Sequence, residues 1–380
     1  MRTRHVFGRI AAGLCTLGIG LTLWSVAPAA QAAPAATYKY TLSKIAFTGS
    51  RLAIAATDSH GDLYYFWQKV GSSSWHKKLV AGGGHGKAYT KPSIAWTGST
   101  VMIATLDASG DVVAFTQHSS TWKRKVVAKA AGHRYQAPSI AAVSGGAVLI
   151  TAGKPGMLTA FELATPGGSW TQQTVGFGNF GSPSIITAYD SLASRYLALI
   201  TATSGGSLYF WWQFVGTSTW AQETVATAGA GGSYASPSLT ATTKELEITA
   251  GTTAGAVDTW SQSIGGSGWA EQTVATGSGT RYSHPVIAWT GPVGADSYLV
   301  ITATSHTGTL AYWWQQVGLT SWNPETVAPA GKHAAYASPA ISVTSKSVVI
   351  TAINTKPGSV YFWYQPFDTT AWHKQLVAAG

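Results

Sequence analysis

A tryptophan recurs seven times along this chain of 380 residues, at intervals of 47, 48, 50, 49, 53 and 50 residues. The recurring residues are Trp75, Trp122, Trp170, Trp220, Trp269, Trp322 and Trp372. An even period of this length is typical of repeat proteins, in which each unit is too small to bury its own apolar face. The chain must therefore fold as a set of similar units packed on one another.

Each unit contains four β-rich runs, seen most clearly between residues 184 and 226 as SIITA, LALITAT, LYFWWQ and WAQETVA, separated by Gly, Ser, Thr and Asp. Four short strands in each of seven units predict an all-β fold, a seven-bladed β-propeller with four-stranded antiparallel blades. The predicted blades, within one domain over residues 33–380, are about 40–82, 89–130, 135–177, 180–227, 234–276, 282–328 and 336–379.

Residues 1–32 have the pattern of a secretory signal peptide. The basic start MRTRHVFGR precedes the apolar run IAAGLCTLGIGLTLWSV and the small-x-small sequence Ala30-Gln31-Ala32. We therefore expect a secreted, extracellular protein, with an uncleaved N-terminal anchor as the alternative and no membrane span after cleavage. The only cysteine, Cys15, lies in this segment, so the mature protein must be held by its core alone.

Several positions recur in every blade. Strand B carries an isoleucine that we align as Ile54, Ile103, Ile150, Ile200, Ile248, Ile301 and Ile350. Strand C carries an aromatic residue that we expect to pack between blades, at Phe66, Phe115, Phe161, Trp211, Trp260, Trp313 and Trp363. Two residues later a glutamine recurs in six units, and a structural hydrogen bond is the favoured interpretation. Because the repeats begin at strand A and end at strand D, blade 7 must close directly on blade 1.

The connections from strand D to the next strand A hold a recurring aromatic ring at Tyr40, Tyr89, Tyr135, Phe180, Tyr234, Tyr282 and Tyr336. Several of these connections also carry basic residues. An aromatic ring beside a hydrogen-bond donor suits a sugar, because the ring stacks on the C–H face and the donor binds hydroxyls. The candidate ligand-binding residues are Tyr89, Tyr135, Tyr234, Tyr282 and Tyr336, with His85, His133, Arg134, Arg281 and His333. The alternative is that these rings close the blade corners.

A second candidate set of aromatic residues lies on strand C, at Trp67, Trp212, Trp314 and Tyr364, where the other units have Thr116, Glu162 and Ser261. These aromatic residues either line clefts between blades and bind ligand, or cover the face of the neighbouring sheet.

Charge is unevenly distributed along the mature chain. Its net charge is +7, and residues 33–137 hold 13 basic and 4 acidic residues. The outer strands WHKKLV, WKRKVV and WHKQLV form a basic arc on blades 1, 2 and 7. Lysines there either prevent edge-to-edge aggregation or dock an anionic wall polymer. No nucleic-acid motif accompanies them, so we expect no nucleic-acid partner.

Catalysis is not expected. A propeller glycosidase needs two carboxylates on either side of one bond, and the 14 acids are scattered, with Glu245 and Glu247 on one strand as the pair to test. Hydrolase, metalloprotease and calcium-loop motifs are absent from the sequence, so no cofactor or metal is predicted.

The runs DSHGDLYYFWQ at 58–68, SGGSLYFWWQ at 204–213 and KPGSVYFWYQ at 356–365 resemble the blade signature of tectonin-type and fucose-binding propeller lectins. The resemblance covers residues 40–380 and implies a lectin-like protein that binds glycans in clefts between blades. The sequence thus favours a secreted, non-catalytic carbohydrate-binding propeller that recognises glycans or cell-surface polysaccharide. The alternatives are a wall-associated scaffold acting through the basic arc and, after it, a glycoside hydrolase.

Overall fold

The computed structural model describes residues 39–380 except 85–87, 133, 154–155, 166, 191–194, 230–231 and 294–295. These residues form seven four-stranded antiparallel sheets, each with its strands in chain order. The seven-bladed propeller predicted from the sequence is confirmed. The signal-peptide prediction lies outside the described residues. No helix in the described part of the chain has the length and apolarity needed to cross a membrane.

Blades 1 to 4 follow the chain in order. Blade 1 comprises β1 (Tyr40–Phe47), β2 (Arg51–Asp58), β3 (Leu63–Lys69) and β4 (His76–Ala81). Blade 2 comprises β5 (Thr90–Trp96), β6 (Val101–Leu106), β7 (Val112–His118) and β8 (Thr121–Ala128). Blade 3 comprises β9 (Ser139–Val143), β10 (Gly146–Gly153), β11 (Met157–Leu163) and β12 (Trp170–Phe177). Blade 4 comprises β13 (Ser184–Asp190), β14 (Arg195–Ser204), β15 (Ser207–Phe214) and β16 (Ala221–Ala226).

Blades 5 to 7 repeat the arrangement. Blade 5 comprises β17 (Tyr234–Ala241), β18 (Glu245–Thr252), β19 (Val257–Ser263) and β20 (Ala270–Ala275). Blade 6 comprises β21 (Tyr282–Val293), β22 (Asp296–Ser305), β23 (Leu310–Gln316) and β24 (Asn323–Ala328). Blade 7 comprises β25 (Tyr336–Val343), β26 (Ser347–Asn354), β27 (Ser359–Pro366) and β28 (His373–Ala378).

The hydrophobic core lies between blades. Strand B is buried on both faces, as in β6 and β26, where every residue is buried. Its two faces pack on the two neighbouring blades, which explains its continuous apolar sequence. Strand D alternates exposed and partly buried residues, as in β20 and β28. Burial thus decreases from the second strand to the outer strand of each blade.

Blade 7 packs directly on blade 1. Ile54 and Phe66 of blade 1 share one buried cluster with Val349 and Phe362 of blade 7, and β1 contacts β25. The backbone amide of Tyr40 donates to Gly358 O at 2.8 Å, and the equivalent bond, from Tyr89 N to Gly61 O, joins blades 1 and 2. The ring therefore closes by the same contacts that join its other blades.

Blade 3 differs from the sequence alignment by one residue. In the other blades the aligned isoleucine pairs with the strand C aromatic, as Ile54 does with Phe66. In blade 3, however, Leu149 pairs with Phe161, and Ile150 pairs with Ala160. The assignment of Ile150 to the recurring position is therefore wrong. The strand period of two places Ile150 on the opposite face, where it packs towards blade 4.

Candidate functional site

In blades 1, 2, 4, 5, 6 and 7, the aromatic residue of the D-to-A connection packs edge-on against the strand C aromatic, on the face that turns towards the preceding blade. The space over such a pair is the groove of that blade. We call this pair the aromatic corner. Ring centroids are 5.5 Å apart for Tyr89–Phe115, 5.0 Å for Tyr234–Trp260, 5.0 Å for Tyr282–Trp313 and 5.2 Å for Tyr336–Trp363. Edge-to-face packing is the geometry that aromatic quadrupoles favour.

Backbone hydrogen bonds to the preceding blade fix the aromatic corners of blades 1, 2, 5, 6 and 7. The amide of Tyr282 donates to Gly255 O of the preceding blade at 2.8 Å, and that of Tyr336 donates to Gly308 O at 2.8 Å. Both acceptor glycines lie in B-to-C turns at positive φ, so close approach of the next blade requires glycine there. The corner is thus held by the turn of the neighbouring blade.

Two further positions close the groove over the aromatic corner in blades 1 and 7. One is the residue two places before the strand C aromatic, and the other is the second residue after the recurring Trp. In blade 1 the Lys77 ammonium lies 4.2 Å from the centroid of Tyr64. In blade 7 the Lys374 ammonium lies 3.9 Å from the centroid of Tyr361. Both grooves are therefore filled by the protein's own cation and ring.

Blade 6 leaves this groove open. Ala311 stands where blades 1 and 7 have a tyrosine, and Pro324 stands where they have a lysine. The result is a cleft of about 330 Å³, which we call the blade-6 groove. Its walls combine Tyr282 and Trp313 with the hydroxyl-bearing residues Thr280, Ser305, Thr307, Thr309 and Thr326. The hydroxyls of Ser305 and Thr307 bond each other at 2.8 Å, and Thr309 Oγ1 accepts from Ala330 N at 3.2 Å. An aromatic floor surrounded by hydroxyls can stack a sugar ring and exchange hydrogen bonds with it.

Glu325 also lines the blade-6 groove, but its carboxylate is engaged between blades. Its Oε2 accepts from Trp372 Nε1 at 3.1 Å and from Gln365 Nε2 at 3.1 Å, while Oε1 accepts from Trp314 Nε1 at 2.9 Å. Three donors orient the carboxylate, which makes it a fixed structural group rather than a free acid.

The grooves of blades 2 and 5 carry charged groups. In blade 5, Asp258 and Glu271 stand beside Tyr234 and Trp260, and burial raises the pKa of both carboxyls. In blade 2, Arg124 pairs with Asp107 at 2.6 Å. The repeated grooves are therefore chemically unequal.

The predicted tyrosines all lie at or near these corners. Tyr89 and Tyr336 are only 3% and 6% exposed, and each lies in a buried cluster shared with the preceding blade. Tyr135, Tyr234 and Tyr282 are half-buried. The blade-corner interpretation thus describes their packing, and Tyr282 also lines the open cleft of blade 6. Contact of the set with a sugar stays a prediction.

The basic residues predicted beside them are dispersed. Arg281 donates from Nη2 to Thr253 O at 2.7 Å and so ties two blades together. Arg134 and His333 are exposed, and the carbonyl of His333 accepts from Asn354 Nδ2 at 3.0 Å. His85 and His133 lie outside the described residues.

Trp67, Trp212 and Trp314 lie between blades and are half-buried. Trp67 stacks on Tyr65 at 5.2 Å and on His76 at 5.1 Å, and Trp212 stacks on Phe210 at 5.6 Å. They belong to the clusters that join blades 1 to 2, 4 to 5 and 6 to 7. Their contacts therefore show that they cover the neighbouring sheet. Their role in ligand binding stays a prediction.

The recurring tryptophans have a role that was not predicted from the sequence. At five junctions the indole Nε1 of one blade donates to a Gln or Glu side chain on strand D of the preceding blade. The acceptors are Gln375, Gln173, Glu223, Gln272 and Glu325. The recurring strand C glutamine donates to the same acceptor at four of these junctions, which confirms its structural role. We call this arrangement the indole latch.

The two remaining junctions have lysine at the acceptor position, as Lys78 and Lys125. Lysine cannot accept a hydrogen bond. The Trp122 Nε1 that would bond there is buried and has no partner among the described residues. The only signal for the latch in the sequence is the W-x-x-[QE] pattern of strand D, broken in these two blades.

The two acids proposed for a catalytic test lie on β18. Glu247 is 3% exposed, and burial raises its pKa to about 8, with a smaller contribution from Glu245. Across the described residues, no group of three or more His, Cys, Asp or Glu side chains could hold a metal ion.

Comparison with known proteins shows likeness in fold. No protein-family model matches the chain, and no curated protein matches it. Among solved structures, the BP39L lectin from Burkholderia pseudomallei is similar with 13% identity and a TM-score of 0.67, covering 88% of this chain and 98% of that chain. The Aleuria aurantia lectin, described as a six-bladed propeller, is similar with 11% identity and a TM-score of 0.52, covering 90% and 96%.

The SapL1 lectin, solved with α-methyl fucoside, is similar with 12% identity and a TM-score of 0.51, covering 77% of this chain and 98% of that chain. The resemblance to fucose-binding propeller lectins drawn from the blade motif is thus confirmed as a likeness of fold.

Proposed function

We propose that the protein is an exported, non-catalytic, carbohydrate-binding propeller and that the blade-6 groove is a principal sugar site. Similarity in fold to lectins supports the class of function. The site is inferred from the open space over the aromatic corner of blade 6, in contrast to the filled grooves of blades 1 and 7.

The open groove presents an aromatic surface beside hydroxyl-bearing side chains. Tyr282 and Trp313 meet at 82° with 5.0 Å between centroids, and the tyrosine is half-buried. Its exposed part can take the apolar face of a pyranose ring, and the surrounding threonine and serine hydroxyls can both donate and accept. Shallow sites of this kind bind single sugars weakly and gain from repeated ligands.

Two substitutions copy the filled grooves of the other blades. Ala311→Tyr adds the ring of blades 1 and 7, and Pro324→Lys adds their lysine. On a glycan array, the purified protein should bind a defined set of glycans, and the double variant should lose at least about tenfold in affinity for them.

Asn323→Lys is the matched control, because it adds the same charge one residue along the strand, on the opposite face. It should bind as the original protein does. Unchanged binding by the double variant, or loss by the control, would show that the blade-6 groove is not the site. If the protein hydrolysed a bound glycan and Glu247→Gln abolished that hydrolysis, the non-catalytic proposal would be contradicted.

The basic arc supports a second candidate, docking on an anionic wall polymer. Lys78 replaces a latch acceptor and leaves a buried indole N–H unpaired, which costs about 1–3 kcal/mol. A lysine kept at this cost in stability favours a role for its positive charge in binding. Part of the arc is engaged internally, because Lys77 lies over rings and Arg124 is paired. Retention on cell wall that salt releases and free sugars do not would favour this candidate.

A further inference from the structure

A second open cleft lies at the seam between blades 7 and 1, at the end of the propeller that carries the A-to-B and C-to-D turns. Its volume is about 500 Å³, and its apolar walls include Leu52, Val70, Val349, Phe362 and Phe367. Clefts of this size with mostly apolar walls and a few polar groups are typical of small-molecule sites. We call it the seam cleft.

The seam cleft is open at a position that a large side chain fills at the junctions after blades 4 and 6. Three residues before the recurring strand B residue, blade 4 has Leu197 and blade 6 has Tyr298, and both pack in the clusters towards the next blade. Blade 7 has Ser347 at this position, as the equivalent pairing of Val300 with Trp314 and of Val349 with Tyr364 shows. A serine leaves the volume of the missing side chain unfilled.

Blade 6 shows which chemistry fits the space. The phenol ring of Tyr298 packs edge-on against Trp314 at 5.8 Å and 80°, and its hydroxyl donates to Asp296 Oδ2 at 3.3 Å. In the seam cleft Tyr364 takes the place of Trp314. Its ring is held by stacking on His373 at 4.8 Å and on Phe362 at 5.9 Å. The fixed ring of Tyr364 therefore lies where blade 6 has Trp314, the ring against which the phenol of Tyr298 packs.

Polar groups surround the mouth of the cleft. Lys346 and Asp368 are exposed there, and Ser72 and Ser73 lie on the blade 1 side. Lys346 offers a donor and Asp368 an acceptor, the two partners that a phenolic hydroxyl can use. We propose that the seam cleft binds a small phenolic ligand, with its ring against Tyr364 and its hydroxyl at the Lys346 and Asp368 side.

The test uses 4-fluorophenol and fluorine NMR line broadening with the purified protein. Saturable binding is expected. Ser347→Tyr rebuilds the blade 6 arrangement and should weaken binding at least about tenfold, and Ser347→Leu, which copies blade 4, should do the same. Thermal unfolding of each variant reports whether the fold is kept. Because two different side chains fill the cleft, the test remains valid if one of the variants does not fold.

Thr100→Leu is the matched control, since Thr100 lies three residues before Ile103, as Ser347 lies three residues before Ile350, at the junction of blades 2 and 3. It should leave phenol binding unchanged. Absence of saturable binding, or equal binding by folded Ser347→Tyr protein, would overturn the proposal. Displacement of the phenol by free sugars at the concentrations that fill the blade-6 groove would also overturn it, by assigning the cleft to sugar.

Discussion

The indole Nε1 of Trp269 in blade 5 donates to Glu223 Oε2 of blade 4 at 3.0 Å, and Gln262 Nε2 donates to the same oxygen at 2.8 Å. One carboxylate thus satisfies two donors that would otherwise be unpaired between the sheets. The relationship links the residue that defines the sequence period to the contact that joins successive blades.

Removing this acceptor should destabilise the protein. Glu223→Ala leaves the donors of Trp269 and Gln262 unpaired, and we expect a loss of about 2 kcal/mol in the free energy of unfolding, measured by urea denaturation. Glu223→Gln keeps a carbonyl acceptor, as Gln272 does between blades 5 and 6. It should cost much less, and equal losses in the two variants would argue against the latch.

Restoring the acceptor in blade 1 should have the opposite effect. Lys78→Gln offers an oxygen to the unpaired Trp122 Nε1, and we expect a gain of about 1 kcal/mol in unfolding free energy. The same variant should bind anionic polymer less well if the basic arc is a docking surface. Lys123→Gln removes an exposed charge without supplying a latch acceptor, so it should leave stability nearly unchanged.

Two glycines of blade 6 separate backbone strain from close packing. Gly308 has φ +88°, and a Cβ there would lie 2.7 Å from Ala335 Cα of blade 7. Gly318 has φ +87° with nothing within 4 Å. Gly318→Ala should therefore cost only the left-handed conformation, about 1–2 kcal/mol. Gly308→Ala must also displace the neighbouring blade and should lower the melting temperature further; equal shifts would refute the close approach.

The buried Glu247 should make stability fall as pH rises. Its pKa goes from the usual 4.5 to about 8 in the folded protein, chiefly through burial. The folded state therefore binds the proton more tightly than the unfolded chain. Unfolding free energy should decrease between about pH 4.5 and pH 8, and level off above that range.

Glu247→Leu, which copies the apolar residue found there in blade 4, should abolish that decrease and be more stable than the original protein at pH 9 by about 2 kcal/mol or more. Glu245→Gln removes a neighbouring charge and should move the decrease to lower pH. A flat profile in the unmodified protein would show that Glu247 is not buried as described.

The propeller could be predicted from sequence because its determinants are local and repeated. A Trp period, strand-length apolar runs and Gly-containing turns recur in each unit, so each unit carries the same information. Blade 3 shows the limit of this approach. Its two adjacent apolar residues, Leu149 and Ile150, fit the pattern equally well, and only packing on blades 2 and 4 decides which faces which.

The grooves could not be predicted in this way. Whether blade 6 is open depends on Ala311, Pro324 and Tyr282 together, three residues on different strands whose proximity is a property of the folded sheet. Tyr282 could be predicted because the ring recurs in the sequence. Ala311 and Pro324 differ from the other blades only in lacking the tyrosine and the lysine of blades 1 and 7. Similarly, Lys78 becomes informative only once Trp122 is found opposite it.

The equivalence of the seam with other junctions has a consequence for chain connectivity. Lys39 and Gly380 both approach Gly358, since Cβ atoms built on Gly358 and Gly380 would fall within 2.6 Å of Lys39 Cα and 2.3 Å of Gly358 C. A circular permutant of residues 39–380 that links Gly380 to Lys39 and opens another D-to-A connection is therefore expected to keep the inter-blade packing. The blade at which the chain begins is therefore not dictated by the packing, because the ring of blades is closed although the polypeptide is linear.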